Sequence, residues 1–328
     1  MVSGLSRRSL LVGGGALLVL AGCGAEEESA DTTTASGPWE FTDDRGQKAT
    51  RDSRPTTIVA QISAAATLWD FGIKPVGTWG EEGKADLLKG NADLAGVTWV
   101  GSTWGDFNIE KLESLRPDLL VAPMQAKDTL WYVPEDAAKK IQPLCPSVGI
   151  NQFEVPVDKV INRFAELAGT LGADLNAPAV TTAKREFEAA GTALADAAKA
   201  RPNLRVAFIT ADKDGLYLGN AKIFSDLAYL RNRGLNFTEV TVSANQTHWE
   251  VLSWERAGKY PIDVLLYDSR NASYFTTDLA KYPTVANLPA IKAGQALSWN
   301  PETPSTWDAF APALRDLTTK LTTFQRLP

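Results

Sequence analysis

Histidine is nearly missing from this sequence: of 328 residues, only His248 carries an imidazole. Transition-metal sites usually combine several imidazoles with carboxylates or thiolates, so a histidine-rich metal centre is excluded. A Ser-His-Asp enzyme would have to rest on His248, and no Gly-x-Ser-x-Gly elbow accompanies it. There is no Walker loop, and no Gly-x-Gly-x-x-Gly followed by an acidic partner. Cysteine is equally scarce, with two residues, Cys23 and Cys145. Cys145 lies between Pro143 and Pro146 and reads as a buried structural thiol. Basic charge is also short, at 33 Lys and Arg against 39 Asp and Glu. That balance is a poor electrostatic match for nucleic acid. No apolar run reaches the roughly 20 residues that a membrane-spanning helix needs.

The chain opens with Ser6-Arg7-Arg8-Ser9, followed by an apolar, glycine-containing run to Leu20. A charged start and a short apolar segment read as an export signal over residues 1–22. The arginine pair fits either a twin-arginine or a general secretory signal. The run ends in Leu20-Ala21-Gly22-Cys23, which resembles a bacterial lipoprotein cleavage site. That resemblance implies lipidation of Cys23, leaving Cys145 without a disulfide partner. Acyl chains anchor by burying methylenes, each worth about 0.8 kcal/mol. Residues 23–38 hold almost no large apolar side chain and read as a flexible tether. Without residues 1–22, 31 basic and 39 acidic side chains remain, a formal charge of −8.

From residue 39 onward, short buried-strand runs alternate with helical patterns. IVAQIS, KPVGTW, DLLVAP and PSVGI are extended, and AAATLWDFG, IEKLESL and PEDAAKKIQ are helical. Such alternation implies mainly parallel sheets flanked by helices. Val157, Val160, Ile161, Phe164, Leu167, Ala168 and Leu171 then mark one face of a helix about 24 Å long. An alanine-rich helix follows over about 177–200. Strands and helices then resume, from RVAFIT through FTEVTV, WERAGKY, IDVLLYD and QALSW to a last helix at TWDAFAPALRDLTTKLTTF. The expected architecture is two α/β lobes, residues 39–155 and 173–328, bridged by one helix over 156–172.

The segments NIEKLESLRPDLLVAP, RVAFITADKDGLYLGNAKIFSDLAYL, HWEVLSWERAGKYPIDVLLYD and VANLPAIKAGQALSW resemble, in order and spacing, the substrate-binding proteins of ABC importers for ferric siderophores and cobalamin. The resemblance covers nearly all of residues 40–328. It implies a monomeric, non-catalytic binding protein with its ligand in the cleft between the lobes. Its partners would be a ferric siderophore, a membrane permease with its cytoplasmic ATPase, and the membrane itself through the lipid anchor. It implies no cofactor, because iron travels inside the siderophore. It makes Glu110 and Glu255, one per lobe, the carboxylates that dock on permease arginines. It places Trp79, Trp104, Tyr217, Trp249 and Trp299 in cleft-facing loops, with Trp131 as a further contact. Trp104 and Trp249 each stand six residues before a docking glutamate. Large amphipathic ligands need flat apolar walls with polar tips, which Trp and Tyr supply. Catecholate complexes, strongly anionic, call for clustered Arg or Lys. Aromatic walls therefore point to a ferric hydroxamate or mixed-type siderophore. Cobalamin or haem on the same scaffold is the alternative reading, and a secreted hydrolase using His248 is the third.

Overall fold

The computed structural model describes residues 37–244 and 246–328. The expected signal segment, Cys23 and most of the tether lie outside them. The first element is a hairpin, β1 (Trp39–Thr42) and β2 (Lys48–Arg51). Its turn is organised by the buried Asp43 carboxylate, which accepts from the amides of Arg45, Gln47 and Gly149.

The first sheet uses β3 (Ile58–Gln61), β4 (Gly77–Trp79), β5 (Thr98–Gly101), β6 (Leu119–Met124) and β7 (Ser147–Asn151). All neighbours pair in parallel, in the order β5-β4-β3-β6-β7. Every residue of β3 and β6 is buried. Continuous apolar strands are what a parallel sheet covered on both faces requires. The covering helices are α1 (Ile62–Asp70), α2 (Ala85–Leu88), α3 (Ile109–Ser114) and α4 (Glu135–Ile141). Cys145 sits in the same packing, and burial pushes its thiol up to about 12.

Two helices separate this sheet from the next, α5 (Val157–Thr170) and α6 (Pro178–Ala200). The α5 face predicted from the spacing is the buried one, with Val157, Val160, Ile161, Phe164, Leu167 and Ala168. It packs on α1, β1 and β7 on one side and on α7 (Ser225–Asn232) on the other.

The second sheet contains β8 (Arg205–Ala211), β9 (Leu216–Gly219), β11 (Trp249–Leu252), β12 (Val264–Asp268) and β13 (Ala296–Trp299), in the order β11-β9-β8-β12-β13. A two-residue strand, β10 (Asn236–Phe237), pairs with the start of β8. The sheet is mixed, because β9 pairs antiparallel with both β8 and β11. Two local expectations are corrected. FTEVTV contributes only Phe237 to a strand, and WERAGKY forms a short 3-10 turn at Trp254–Arg256. After α8 (Pro283–Ala286) and α9 (Pro289–Lys292), the chain closes with α10 (Trp307–Thr323), packed along α6.

A second connection ties the lobes besides α5. The segment 300–306, between β13 and α10, is fastened to the first lobe. Asn300 Nδ2 donates to the Leu87 carbonyl (2.7 Å), the Ser305 amide to Thr67 Oγ1 (2.9 Å) and Thr306 Oγ1 to Asp70 Oδ2 (2.6 Å).

Candidate ligand-binding cleft

Open parallel sheets bind ligands outside the carboxyl ends of their strands, where the strand order reverses direction. In the first sheet that point lies between β3 and β6, and in the second between β8 and β12. Gln125 follows β6 and Arg270 follows β12. Both border one cavity of about 450 Å³ between the lobes. Gln125, Ala126 and Trp131 line it from the first lobe. Phe224, the 246–249 segment, Arg270, Pro301 and Glu302 line it from the second.

Trp131 and Trp249 supply indoles from opposite lobes. The Trp249 ring packs edge-on to Phe224, 4.8 Å between centroids, and tilts over Phe208 at 5.6 Å. The Trp131 ring meets Trp104 (5.0 Å) and Tyr132 (5.5 Å) edge to face. Its indole N–H is buried and has no hydrogen-bond partner among the described residues. Trp104, 62% exposed, continues this aromatic row outward from the cavity without lining it. The Trp104 loop folds back tightly on Gly101, where a Cβ would stand 2.0 Å from the Asp106 carbonyl oxygen. Only glycine permits that approach.

Of the six predicted ligand contacts, only Trp131 and Trp249 line this cavity; Trp104 stands beside it, and the other three, Trp79, Trp299 and Tyr217, fall elsewhere. Trp79 ends β4 with 0% exposure, packs on Phe107 and donates its indole N–H to the Trp131 carbonyl (3.0 Å). It supports the Trp131 loop from beneath. Trp299 ends β13, is 6% exposed, and donates to Asp226 Oδ2 (2.6 Å) inside the second lobe. Tyr217 lies in β9 and outside the cavity, its hydroxyl bonded to Asp212 Oδ2 (2.9 Å). Burial and that carboxylate push the phenol up to about 12. The resemblance implied loops for these rings, whereas the sheet pairing, parallel at β4 and β13 and antiparallel at β9, extends strands up to or through them.

The polar equipment of the cavity was not legible from the aromatic pattern. His248 Nε2 lies 2.8 Å from the Gln125 carbonyl oxygen, across the cleft. A carbonyl only accepts, so Nε2 carries the proton. Phe153 and Phe224 flank the ring, each at 5.5 Å. Arg270 donates through Nε to Asp268 Oδ1 (3.0 Å), through Nη2 to Asp268 Oδ2 (2.7 Å) and through Nη1 to Glu302 Oε1. Burial pushes the Glu302 carboxyl up, partly opposed by Arg270. A search at the carboxyl ends of β6, β12 and β13 would have found Gln125, Arg270 and Glu302.

Glu110 stands exposed in the first turn of α3, which Asn108 caps by accepting from the Lys111 amide (2.8 Å). Glu255 is exposed in the 3-10 turn of the other lobe, its carboxyl lowered by a hydrogen bond from Ser253. Neither forms an ion pair among the described residues. No group of three or more His, Cys, Asp or Glu among the described residues could hold a metal ion.

Comparison with known proteins follows the same lines. The model of the family described as periplasmic binding protein matches residues 76–303. The crystal structure of DesE, a ferric-siderophore receptor protein from Streptomyces coelicolor, is 37% identical. It covers 88% of this chain and 100% of its own, with a TM-score of 0.83. The Fe(3+)-citrate-binding protein YfmC of Bacillus subtilis is 23% identical over 312 residues, 90% of this chain and 88% of that one. FhuD2 from Staphylococcus aureus, solved with bound ferrioxamine B, shares the fold at 19% identity and a TM-score of 0.57, over 81% of this chain and 98% of its own. With two lobes, a cleft at their strand ends and a family match over residues 76–303, this chain belongs to the periplasmic binding protein family and is an extracytoplasmic solute-binding protein rather than an enzyme.

Proposed function

We propose that the protein captures a ferric siderophore, of hydroxamate or mixed type, and delivers it to the permease of an ABC importer. The observation that carries this reading is the cavity between the lobes. Indoles from both sides face it, and its one guanidinium is already paired with two carboxylates. Aromatic walls bury the apolar linkers of such a ligand. Arg270 spends three of its five N–H groups on Asp268 and Glu302. Those left suit neutral acceptor oxygens, such as hydroxamate carbonyls, better than a highly anionic catecholate shell. The siderophore supplies the iron ligands, so no protein side chain need touch the metal. Similarity to DesE, named a ferric-siderophore receptor protein, supports the ligand class, and the relative named for Fe(3+)-citrate supports an iron complex.

The finer reading concerns delivery. Residues 1–22 direct export, and Cys23 becomes lipidated and holds the protein at the membrane through a tether ending near residue 38. The lobes, divided at 155 and 173, present Glu110 and Glu255 to permease arginines. Exposed ion pairs contribute only about 0–1 kcal/mol each, so these carboxylates set orientation and encounter rate more than affinity.

Tryptophan fluorescence tests the ligand class. Ferric hydroxamates should quench the wild type, and Trp131→Ala combined with Trp249→Ala should weaken binding at least about tenfold, the equivalent of about 1.4 kcal/mol. Quenching by cobalamin or haem, with none by ferric hydroxamates, would overturn it.

A further inference from the structure

Glu302 is an unusual residue to border a cavity walled by the rings of Trp131, Phe224 and Trp249. It is 9% exposed, and its Oε1 accepts from Arg270 Nη1. Its Oε2 is buried with no hydrogen-bond partner among the described residues. A buried, unpaired carboxylate oxygen is costly, so it favours any partner that brings a donor. The backbone holds the side chain in place. The Glu302 amide donates to Asn300 Oδ1 (3.0 Å), and Asn300 is tied in turn to the Leu87 carbonyl of the other lobe.

The surrounding charges reinforce this preference. Arg270 faces two carboxylates, Asp268 and Glu302, and both Asp268 oxygens are engaged by it. The next charges outward are Glu81, which accepts from the Tyr132 hydroxyl (3.2 Å), and Lys84, 4.0 Å from Glu81. Three carboxylates thus stand against two cations around this corner. A like charge brought into such a low-dielectric corner is repelled, and a cation is drawn in.

We propose that Glu302 is a charge-selecting residue of the cleft: it favours a ferric complex that brings a protonated amine or another N–H donor to this corner, and it disfavours one that brings a carboxylate. The inference rests on the siderophore reading above and narrows it to cationic or neutral complexes. Arg270 then has two tasks. It pins Glu302 Oε1 and offers its remaining N–H groups to neutral ligand oxygens.

Three ferric complexes of one linear trishydroxamate test it, differing only at the chain end: a free primary amine, its N-acetyl form and its N-succinyl form. Dissociation constants come from fluorescence quenching of the wild type and of Glu302→Gln at low ionic strength. The wild type should bind the amine about tenfold more tightly than the acetyl form, and the acetyl form more tightly than the succinyl form. In Glu302→Gln the amine-to-acetyl ratio should fall to within about twofold, whatever the absolute affinity for the acetyl form, because the ratio cancels any change in the Arg270 contacts that both complexes share. Equal binding of all three by the wild type would overturn the inference while leaving siderophore capture standing. A retained amine preference in folded Glu302→Gln would overturn it as well. Binding of none of the three would remove the siderophore reading and this inference together. The wild-type series decides the question of charge preference even if the variant proves unstable.

Discussion

Asp226 shows how one residue ties packing to pH. It lies in the first turn of α7, and burial pushes its carboxyl from 3.8 up to about 6, although Trp299 donates to it. A folded-state value above the unfolded one means that folding favours the protonated acid. That contribution is complete below about pH 4 and is lost as the pH rises through about 6, amounting to about 3 kcal/mol. Asparagine keeps an acceptor for the Trp299 indole and cannot ionise. We therefore expect Asp226→Asn to raise stability at pH 7.5 by up to about 3 kcal/mol. It should also flatten the fall in stability between pH 4 and 6, read from urea midpoints across that range. A variant curve parallel to the wild type would refute the assignment. Trp79 carries the same lesson about context. Its sequence setting, between Thr78 and Gly80, matches that of an exposed loop ring, yet it is buried and supports Trp131 from below.

At the scale of elements, the 246–249 segment and the 300–306 strap decide how the cleft is held. His248 reaches across to the Gln125 carbonyl, while Asn220 holds the segment behind it by donating to the Thr247 carbonyl (3.1 Å). A single hydrogen bond contributes about 1 kcal/mol net, enough to bias a cleft but not to lock it. Replacing His248 by leucine keeps the contacts with Phe153 and Phe224 and removes the cross-lobe donor. Ligand release, followed by stopped-flow fluorescence, should accelerate about fivefold, in keeping with that bond strength. Thermal stability should change little. An unchanged release rate would mean that the latch does not control the cleft.

At the scale of the whole molecule, the lobes are joined twice. The α5 helix packs on both, and the strap sews the start of α10 to α1 through Thr67, Asp70, Ser305 and Thr306. Flexible hinges allow wide closure, whereas a helix and a buried strap limit motion to small tilts. Crystal forms with and without ligand should differ by only a few degrees between lobes, and solution scattering should show almost no change in radius of gyration. A clamshell closure of tens of degrees would contradict the double tether.

The alternation of buried strands with amphipathic helices was written in the sequence, as was the apolar face of α5, because local periodicity records which side of an element meets the core. The scarcity of histidine was legible from composition alone, and Glu110 and Glu255 were singled out by the family resemblance. The membership of the cavity was not. Trp131 and Trp249 reach it while Trp79 and Trp299 do not, although all four stand in similar short contexts. Arg270, Gln125 and Glu302 meet because three strand ends from two sheets converge at one place. That convergence depends on contacts more than a hundred residues apart in the chain, and only the tertiary structure decides it.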